Sequence, residues 1–316
     1  MLETTWFVLW GLLWAVYFVL DGFDFGMGTL LPFLAKNDEE KRIIYNAAGP
    51  YWDGNEVWLI TAGGVTFAAF PKAYAVMFSA LYAPLLILLF ALIFRAVSFE
   101  FRNKKDCPQW RKFWDACQFL GNFLPALLLG VAFANLFMGI PIDGNGVYHG
   151  NIIKLLNPYG LAGGIFFVLI FAMHGALWLA LKSEGDIHER AVGAAQVVWP
   201  LVLAVALLFL ALTAFYTNLY ANYAEHPTLL VFPILAVASL LTVRVMIWAD
   251  NLLGAWFFSA LFIITVTFFG VLGMYPGIII SSIDPAYSVT VFNGASSPLT
   301  LKIMLGVALV MVPIVL

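Results

Sequence analysis

Two aspartates, three residues apart, interrupt a strongly apolar stretch near the start of the chain. Asp21 and Asp24 stand among glycines and aromatic residues, and their spacing puts both carboxylates on one face of a helix. Two carboxylates one turn apart cannot both ionise cheaply in apolar surroundings, so we expect one to hold a proton at neutral pH. Proton handling is one interpretation, and a hydrogen-bonded pair that fixes helix packing is the other. Gly22 and Gly26 form a small-xxx-small pair that would let another backbone approach closely.

A second acidic group opens the next apolar segment. Asp53 and Glu56 have the spacing of a capping box, which would explain both as helix-start residues. Their predicted position is the argument for proton transfer. Four charged residues are predicted at the end of the helices toward which the first two aspartates point: Asp53, Glu56, Arg95 and Glu100. Arg95 would then be the counter-charge that keeps a carboxylate ionised.

The sequence carries few candidate ligands for a metal or a haem. His174 is the only histidine predicted inside an apolar segment, and a lone histidine there is more often a packed, hydrogen-bonded residue than a ligand. Several haems would need several axial ligands, which these segments lack. We therefore expect no catalytic, metal or cofactor-binding residue in this chain, with His174 as the one buried candidate.

Composition identifies the surroundings of these residues as lipid. Hydrophobic residues make up 63% of the 316 positions and charged residues 10%, against about 25% charged in a typical soluble domain. A net charge of −3 gives no indication of nucleic-acid binding. The first apolar segment has no basic region before it and no small-residue cleavage site, so we expect a retained span and not a signal peptide.

The apolar segments predict an all-α polytopic membrane protein that forms a single integral membrane domain over 1–316. A hydrocarbon core of about 30 Å needs about 20 helical residues. We expect about nine spans, at 5–35, 51–70, 73–95, 113–138, 157–182, 193–216, 228–248, 254–275 and 299–316. Asn157-Pro158 and Ser297-Pro298 open spans in the same way, so a repeat is one interpretation, with halves at 1–138 and 157–275.

The basic residues predict the orientation. Loops after the odd-numbered spans, with their flanks, hold 12 of the 15 Lys and Arg residues. Because cytoplasmic loops carry the excess of basic residues, we expect the N-terminus outside and the end of the ninth span in the cytoplasm.

The longest motifs are typical of a known family. The segments Asp21–Gly28 and Trp52–Gly64 resemble subunit II of the cytochrome bd quinol oxidases. Shorter matches run along the rest of the chain, at Phe94-Arg95, Phe99–Arg102, Gly130–Phe133 and Leu156–Gly160. The resemblance implies two four-helix bundles plus a peripheral helix, paired with a similarly folded subunit I.

What the resemblance implies for function is a subunit of a respiratory complex in the bacterial cytoplasmic membrane. Such a complex oxidises quinol and reduces oxygen to water without pumping protons. Subunit I holds the b-type and d-type haems, and small accessory subunits and membrane lipids are further partners. Subunit II is expected to support the haem arrangement, to offer a proton route and sometimes to bind a structural quinone.

The resemblance also ranks the candidate residues. Asp53 would be the carboxylate nearest the proton path of the partner, with Asp21, Asp24 and Arg95 close by. The chain departs from the family at Tyr51, Glu56 and Glu100, where members often carry His, Gln and Asp. Tyr51 and Glu56 are therefore weaker candidates for an indispensable relay.

Two other functions remain open from the sequence. A purely structural assembly subunit would have no proton role. A proton-coupled secondary transporter would use Asp21 and Asp24 as a coupling-ion site within a broken helix, although the second half supplies no matching interrupted helix.

Overall fold

The computed structural model describes residues 1–315, so the predicted span 299–316 ends one residue outside the described part. The described chain is almost entirely helical. Its α-helices are α1 (Leu2–Leu34), α2 (Asp38–Ala48), α3 (Trp52–Ala69), α4 (Pro71–Ala80), α5 (Tyr82–Phe101), α6 (Pro108–Met138), α7 (Ile152–Leu155), α8 (Pro158–Lys182), α9 (Gly185–Tyr216), α10 (Leu219–Glu225), α11 (Val231–Trp248), α12 (Leu252–Gly273) and α13 (Pro298–Val315).

The all-α membrane fold predicted from the sequence is confirmed, but the count of nine spans is not. Within residues 1–315, seven helices are long and apolar enough to cross a membrane: α1, α5, α6, α8, α9, α12, and α11 together with the 3-10 turn before it. The predicted spans at 51–70 and 299–316 fall on α3 and α13, which are not among the seven.

Several helices differ from the predicted spans at their ends. The span predicted at 73–95 is two helices, α4 and α5, separated at Leu81. Pro84 explains the break, because proline has no N–H to bond the carbonyl of Ala80 and is tolerated in the first turn of a helix. The spans predicted from 113 and 193 start earlier, at Pro108 and Gly185, so α6 and α9 continue into the polar segments before them.

Helix α1 lies at the centre of the molecule. It packs against α3, α6, α8 and α12, while α8, α9, α11 and α12 pack together as a second group. A Cβ at Gly26 would lie 1.8 Å from the carbonyl oxygen of Phe171, so only glycine allows α1 and α8 to approach this closely. The close approach predicted from Gly22 and Gly26 is confirmed at Gly26. The division into halves at 138 and 157 stays a prediction, because α6 and α8 also pack together across it.

A network of ion pairs fixes the short helix α2 at the end of the molecule where α5 ends and α6 begins. Arg102 is buried and binds Asp38 at 2.6 Å and Asp115 at 2.6 Å, and Arg190 of α9 binds Glu40 at 2.6 Å. Burial opposes the ionisation of Asp38, but the hydrogen bond and charge of Arg102 outweigh it and hold the pKa of this carboxyl below its ordinary value. Helix α2 is therefore tied to Arg102 at the end of α5 and to α9 of the second group, and Arg102 in turn binds α6.

The opposite end carries the little non-helical structure in the described chain. Two short antiparallel strands, β1 (Gly277–Ile279) and β2 (Val289–Thr290), follow α12. The loop after α6 joins them through a bridge between Ile140 and Ser281. These segments cover one end of the helices, away from the charged end described above.

Candidate functional site

A buried ionic cluster joins α1, α3 and α5. The guanidinium of Arg95 contacts Asp21 twice, with Nη1 2.8 Å from Oδ1 and Nη2 3.1 Å from Oδ2. Its Nη2 also donates to Glu56 Oε1 at 2.5 Å. Charge-assisted, two-point contacts between arginine and carboxylate are among the strongest hydrogen bonds in proteins. One guanidinium therefore holds carboxylates from two other helices.

The position of Arg95 is fixed by packing as well as by charge. Its side chain is fully buried, and the guanidinium carbon lies 4.8 Å from the ring centre of Phe25. A cation over an aromatic face is attracted by the ring quadrupole. Gly121 of α6 lies directly behind Arg95, and a Cβ there would be 2.8 Å from the Arg95 Cβ. The close packing of α6 against α5 thus fixes the position of Arg95.

The second aspartate has a different partner. Asp24 Oδ2 accepts a hydrogen bond of 2.7 Å from the side-chain amide of Asn55, which also donates to the Leu20 carbonyl at 3.0 Å. The other oxygen of Asp24 is buried and has no hydrogen-bond partner among residues 1–315. Asp24 therefore lies near Asp21 on α1 but forms no ion pair within the described residues.

The cluster contains more acid than base. Asp21 and Glu56 bind one guanidinium, that of Arg95, and Asp24 is bound by Asn55 close enough for its charge to interact with that of Arg95. If all three carboxyls ionised, the cluster would carry uncompensated negative charge in surroundings of low dielectric, where an unpaired ion is costly. The expectation that the two aspartates do not both ionise stays a prediction, and of the two only Asp21 binds the arginine.

The side chains of the cluster differ in how much of their surface is exposed. The side chain of Glu56 is 23% exposed, whereas those of Asp21 and Arg95 are 0% exposed. Glu56 is thus the most accessible group of the cluster within this chain, and the buried groups lie behind it. Exposure falls from the N-terminal half of α3 to the interior of α1.

Two predicted site residues lie outside the cluster. Asp53 and Glu100 are both exposed, and neither forms an ion pair within the described residues. The capping-box interpretation of Asp53 and Glu56 is wrong, because α3 starts at Trp52, its N-cap residue is Tyr51, and no side chain caps it. Glu56 points instead to Arg95. Asp53 lies in the first turn, on the exposed face of α3.

Two residues of the cluster were missed by the sequence analysis. Asn55 lies inside the motif that carries the resemblance, and its amide binds Asp24. Tyr17, one turn before Asp21, is fully buried and its hydroxyl has no hydrogen-bond partner among residues 1–315. A spacing of four from Asp21 was the available signal for Tyr17, but tyrosine in an apolar segment is common enough to be overlooked.

The geometry at His174 does not fit a haem ligand. Its Nδ1 lies 2.6 Å from the Ser259 hydroxyl and its Nε2 lies 3.1 Å from the Val19 carbonyl, while its ring stacks on Trp256 at 5.3 Å. Both ring nitrogens are thus engaged by the protein. Within the described residues, no group of three or more His, Cys, Asp or Glu side chains could hold a metal ion.

Comparison with known proteins identifies the family. Residues 2–316 match the family described as cytochrome bd terminal oxidase subunit II. The chain is 37% identical to cytochrome bd ubiquinol oxidase subunit 2 of Bacillus subtilis, covering all of this chain and 93% of that one. It is 36% identical to cytochrome bd-I ubiquinol oxidase subunit 2 of Escherichia coli, covering all of this chain and 91% of that one.

A solved structure supports the same assignment at the level of the fold. A chain of the bd oxidase from Geobacillus thermodenitrificans superposes with a TM-score of 0.81 over 99% of this chain and 96% of that one, at 16% identity. At such low identity the likeness bears on the fold alone. With the sequence matches over the whole length, it leads to one conclusion: the chain belongs to the cytochrome bd terminal oxidase subunit II family.

Proposed function

We propose that this chain pairs with a haem-bearing subunit I in a quinol oxidase, and that its buried ionic cluster carries protons from the cytoplasm toward that subunit. Reduction of oxygen to water consumes protons, so a complex that performs it inside a membrane needs a route for them. The observation that carries the proposal is the excess of acid in the cluster, where Arg95 is the one cation, Asp21 and Glu56 bind it, and the buried Asp24 nearby has only the Asn55 amide as a partner.

Each residue of the cluster has a distinct part in the proposed route. Glu56 is the partly exposed carboxyl at which a proton enters. Arg95 binds Asp21 and Glu56 at once and keeps their carboxyls close together. Asp24 holds the transferable proton, because it lies beside the ion pair without a cation of its own and is oriented by the Asn55 amide.

The two exposed carboxylates act outside the cluster in this proposal. Asp53 lies three residues before Glu56 on the exposed face of α3, where a partner helix can cover it. We propose that it passes protons between the cluster and subunit I, as the resemblance implies. Glu100, exposed near the end of α5, would attract protons to the charged end of the molecule.

The haems belong to subunit I in this proposal. Haems of types b and d need axial ligands, and the one buried histidine of this chain already uses both ring nitrogens. The haems would supply the electron transfer and the oxygen chemistry. The residues of this chain would bind, orient and move protons, and its helices would support the partner. Small accessory subunits and membrane lipids complete the proposed assembly.

The cellular setting is proposed from the family and from the charge distribution. Bacterial relatives indicate the bacterial cytoplasmic membrane, and the basic loops favour an external N-terminus with the charged end of the molecule in the cytoplasm. Glu56 and the α2 ion pairs then face the cytoplasm, which is the side from which protons would enter.

The alternatives lack comparable support. A transporter with a broken helix at the glycine-rich motif is not supported, because α1 runs unbroken from Leu2 to Leu34. A purely structural subunit would explain the ion pair of Asp21 with Arg95. It does not explain why Asp24, a second buried carboxyl, lies beside that pair with one oxygen unpartnered.

The test is the turnover of the complex with Asp24→Asn. Asparagine keeps the shape and the acceptor for Asn55 but cannot carry a proton, so we expect normal haem content with quinol:oxygen turnover reduced about 10²-fold, the usual loss for one proton-transferring group. Glu40→Gln is the control, because it removes a carboxylate from the α2 ion pairs away from the cluster. Wild-type turnover in an assembled Asp24→Asn complex would contradict the proposed proton transfer, because a purely structural role of the cluster would then explain the result.

A further inference from the structure

The hydroxyl of Tyr17 is a buried polar group that packing alone does not explain. Its ring is enclosed by Trp14 at 6.1 Å, Phe18 at 5.7 Å and Phe25 at 6.2 Å. A phenylalanine would make the same ring contacts without burying a hydroxyl, and an unpartnered buried hydroxyl costs free energy. Such a group calls for a specific explanation.

The position of Tyr17 relative to the cluster supplies that explanation. Tyr17 lies four residues before Asp21 and therefore on the same face of α1. Its hydroxyl is close enough to Asp21, Arg95 and Glu56 to interact with their charges. Each carboxylate oxygen of Asp21 accepts one hydrogen bond from a nitrogen of Arg95 and can accept a further hydrogen bond. The carboxylate can therefore also accept one from a phenol.

Tyr17 also lies deeper than any other member of the cluster. Four residues of helix correspond to about 6 Å, measured from Asp21 toward the N-terminal end of α1 and away from the charged end of the molecule. The groups thus form a series from the partly exposed Glu56, through the buried Arg95 and Asp21, to the enclosed Tyr17.

We propose that Tyr17 is the proton-transferring residue that follows Asp21, extending the route from the carboxyl cluster toward the bilayer centre. A proton that reaches Asp21 from Asp24 moves to the phenol oxygen as the phenol releases its own proton to a water molecule. The O–H bonds of the Asp21 carboxyl and of the phenol break, one O–H bond forms on the phenol and one on the water, the phenol is regenerated, and no electron moves. This inference rests on the proposed proton route and adds a residue that the acidic motif does not contain.

The test is Tyr17→Phe in the assembled complex, with Tyr159→Phe as the matched control. Tyr159 is equally buried, but its hydroxyl bonds Thr213 at 3.0 Å in the second group of helices. Proton uptake after rapid mixing with oxygen, followed with a pH-sensitive dye, should slow about 10-fold to 100-fold in Tyr17→Phe and stay normal in the control. Reduction of the haems by quinol should be unaffected in both.

A parallel measurement on Asp21→Asn separates this inference from the function on which it rests. Slow uptake in Asp21→Asn with wild-type uptake in Tyr17→Phe would overturn the role of Tyr17 and leave the route standing. Wild-type uptake in both would overturn both. If Tyr17→Phe does not assemble, a fluorotyrosine introduced at position 17 keeps the ring and hydroxyl and makes the phenol more acidic. The pH profile of uptake should then move to lower pH, and an unchanged profile would overturn the inference.

Discussion

At the scale of single residues, the central feature is that one arginine serves more than one carboxyl. Arg95 binds both oxygens of Asp21 and one of Glu56 while fully buried. An ion pair of this kind does not in itself show a gain in stability, since desolvation offsets much of the attraction. Its removal is costly, however, because the remaining charges stay buried without compensation.

This asymmetry predicts the outcome of a double-mutant cycle at Arg95 and Asp21. Arg95→Gln should destabilise the complex by about 3–5 kcal/mol, the usual cost of breaking a buried pair from one side. The double variant Arg95→Gln with Asp21→Asn removes one of the stranded charges, so we expect it to be more stable than Arg95→Gln alone. Thermal unfolding of the four purified complexes measures the coupling. Simple addition of the two single losses would mean that the pair does not interact energetically.

The sequence could predict part of this site. The spacing of Asp21 and Asp24 and the need for a counter-charge pointed to the carboxyl pair and to Arg95. Which carboxylates Arg95 binds could not be predicted, because the contacts depend on how α3 and α5 pack against α1. Glu56 had two interpretations, a capping-box residue because of its spacing from Asp53 and a proton-pathway candidate because of its predicted position, and the actual start of α3 at Trp52 removes the first. Tyr17 was missed because its significance lies in an unpartnered hydroxyl, which only coordinates reveal.

At the scale of helices and the spaces between them, the sequence predicted which segments are apolar more accurately than where each helix begins and ends. The run over 73–94 contains no charged residue, so the break at Leu81 was missed although Pro84 marks it. Helices α6 and α9 run past their predicted starts because hydropathy falls where polar residues begin, whereas a helix continues until its backbone is interrupted. Hydropathy therefore located the membrane-crossing part of these helices and not their full length.

An apolar cavity of about 120 Å³ lies between α1, α6 and the second group of helices. Its walls come from α1, α6, α8, α9, α11 and α12, and include Phe18, Phe133, Phe166, Phe209 and Phe262. Cavities of this kind suit an apolar ligand and not water. We propose it as the site for the tail of the structural quinone that the resemblance implies.

Filling the cavity tests this assignment. Ala206 of α9 lines it, so Ala206→Phe should occupy the space and reduce the quinone that copurifies with the complex. Ala204→Phe is the control, because Ala204 lies on the same helix and is exposed. Solvent extraction and chromatography of the bound quinone provide the measurement. Equal quinone in both variants would contradict the assignment, as would its complete absence from the wild-type complex.

At the scale of the whole molecule, the basic residues and the buried cluster agree on a direction. The ion pairs of α2, the end of α5 and the partly exposed Glu56 all lie toward the basic end of the chain, and the two-stranded sheet lies toward the other. Protons should then enter from the cytoplasm. In the orientation predicted from the basic residues, the basic end faces the cytoplasm.

Reporter fusions test the orientation. A reporter that is active only in the cytoplasm should function when inserted in the loop at 102–107 and should be inactive in the segment at 139–151. The physical reason is the bias of basic residues toward the first of these loops. The reverse pattern would place Glu56 on the outer side and would remove cytoplasmic proton entry from the proposal.

The most direct measurement is the rate of proton uptake from the cytoplasmic side when the reduced complex, oriented in closed vesicles, meets oxygen. A pH-sensitive dye on that side should report uptake slowed about 10²-fold in Asp24→Asn. Glu40→Gln, whose carboxylate pairs with Arg190 outside the cluster, should keep the wild-type rate. Wild-type uptake in a fully assembled Asp24→Asn complex would contradict the central claim that this cluster carries the protons.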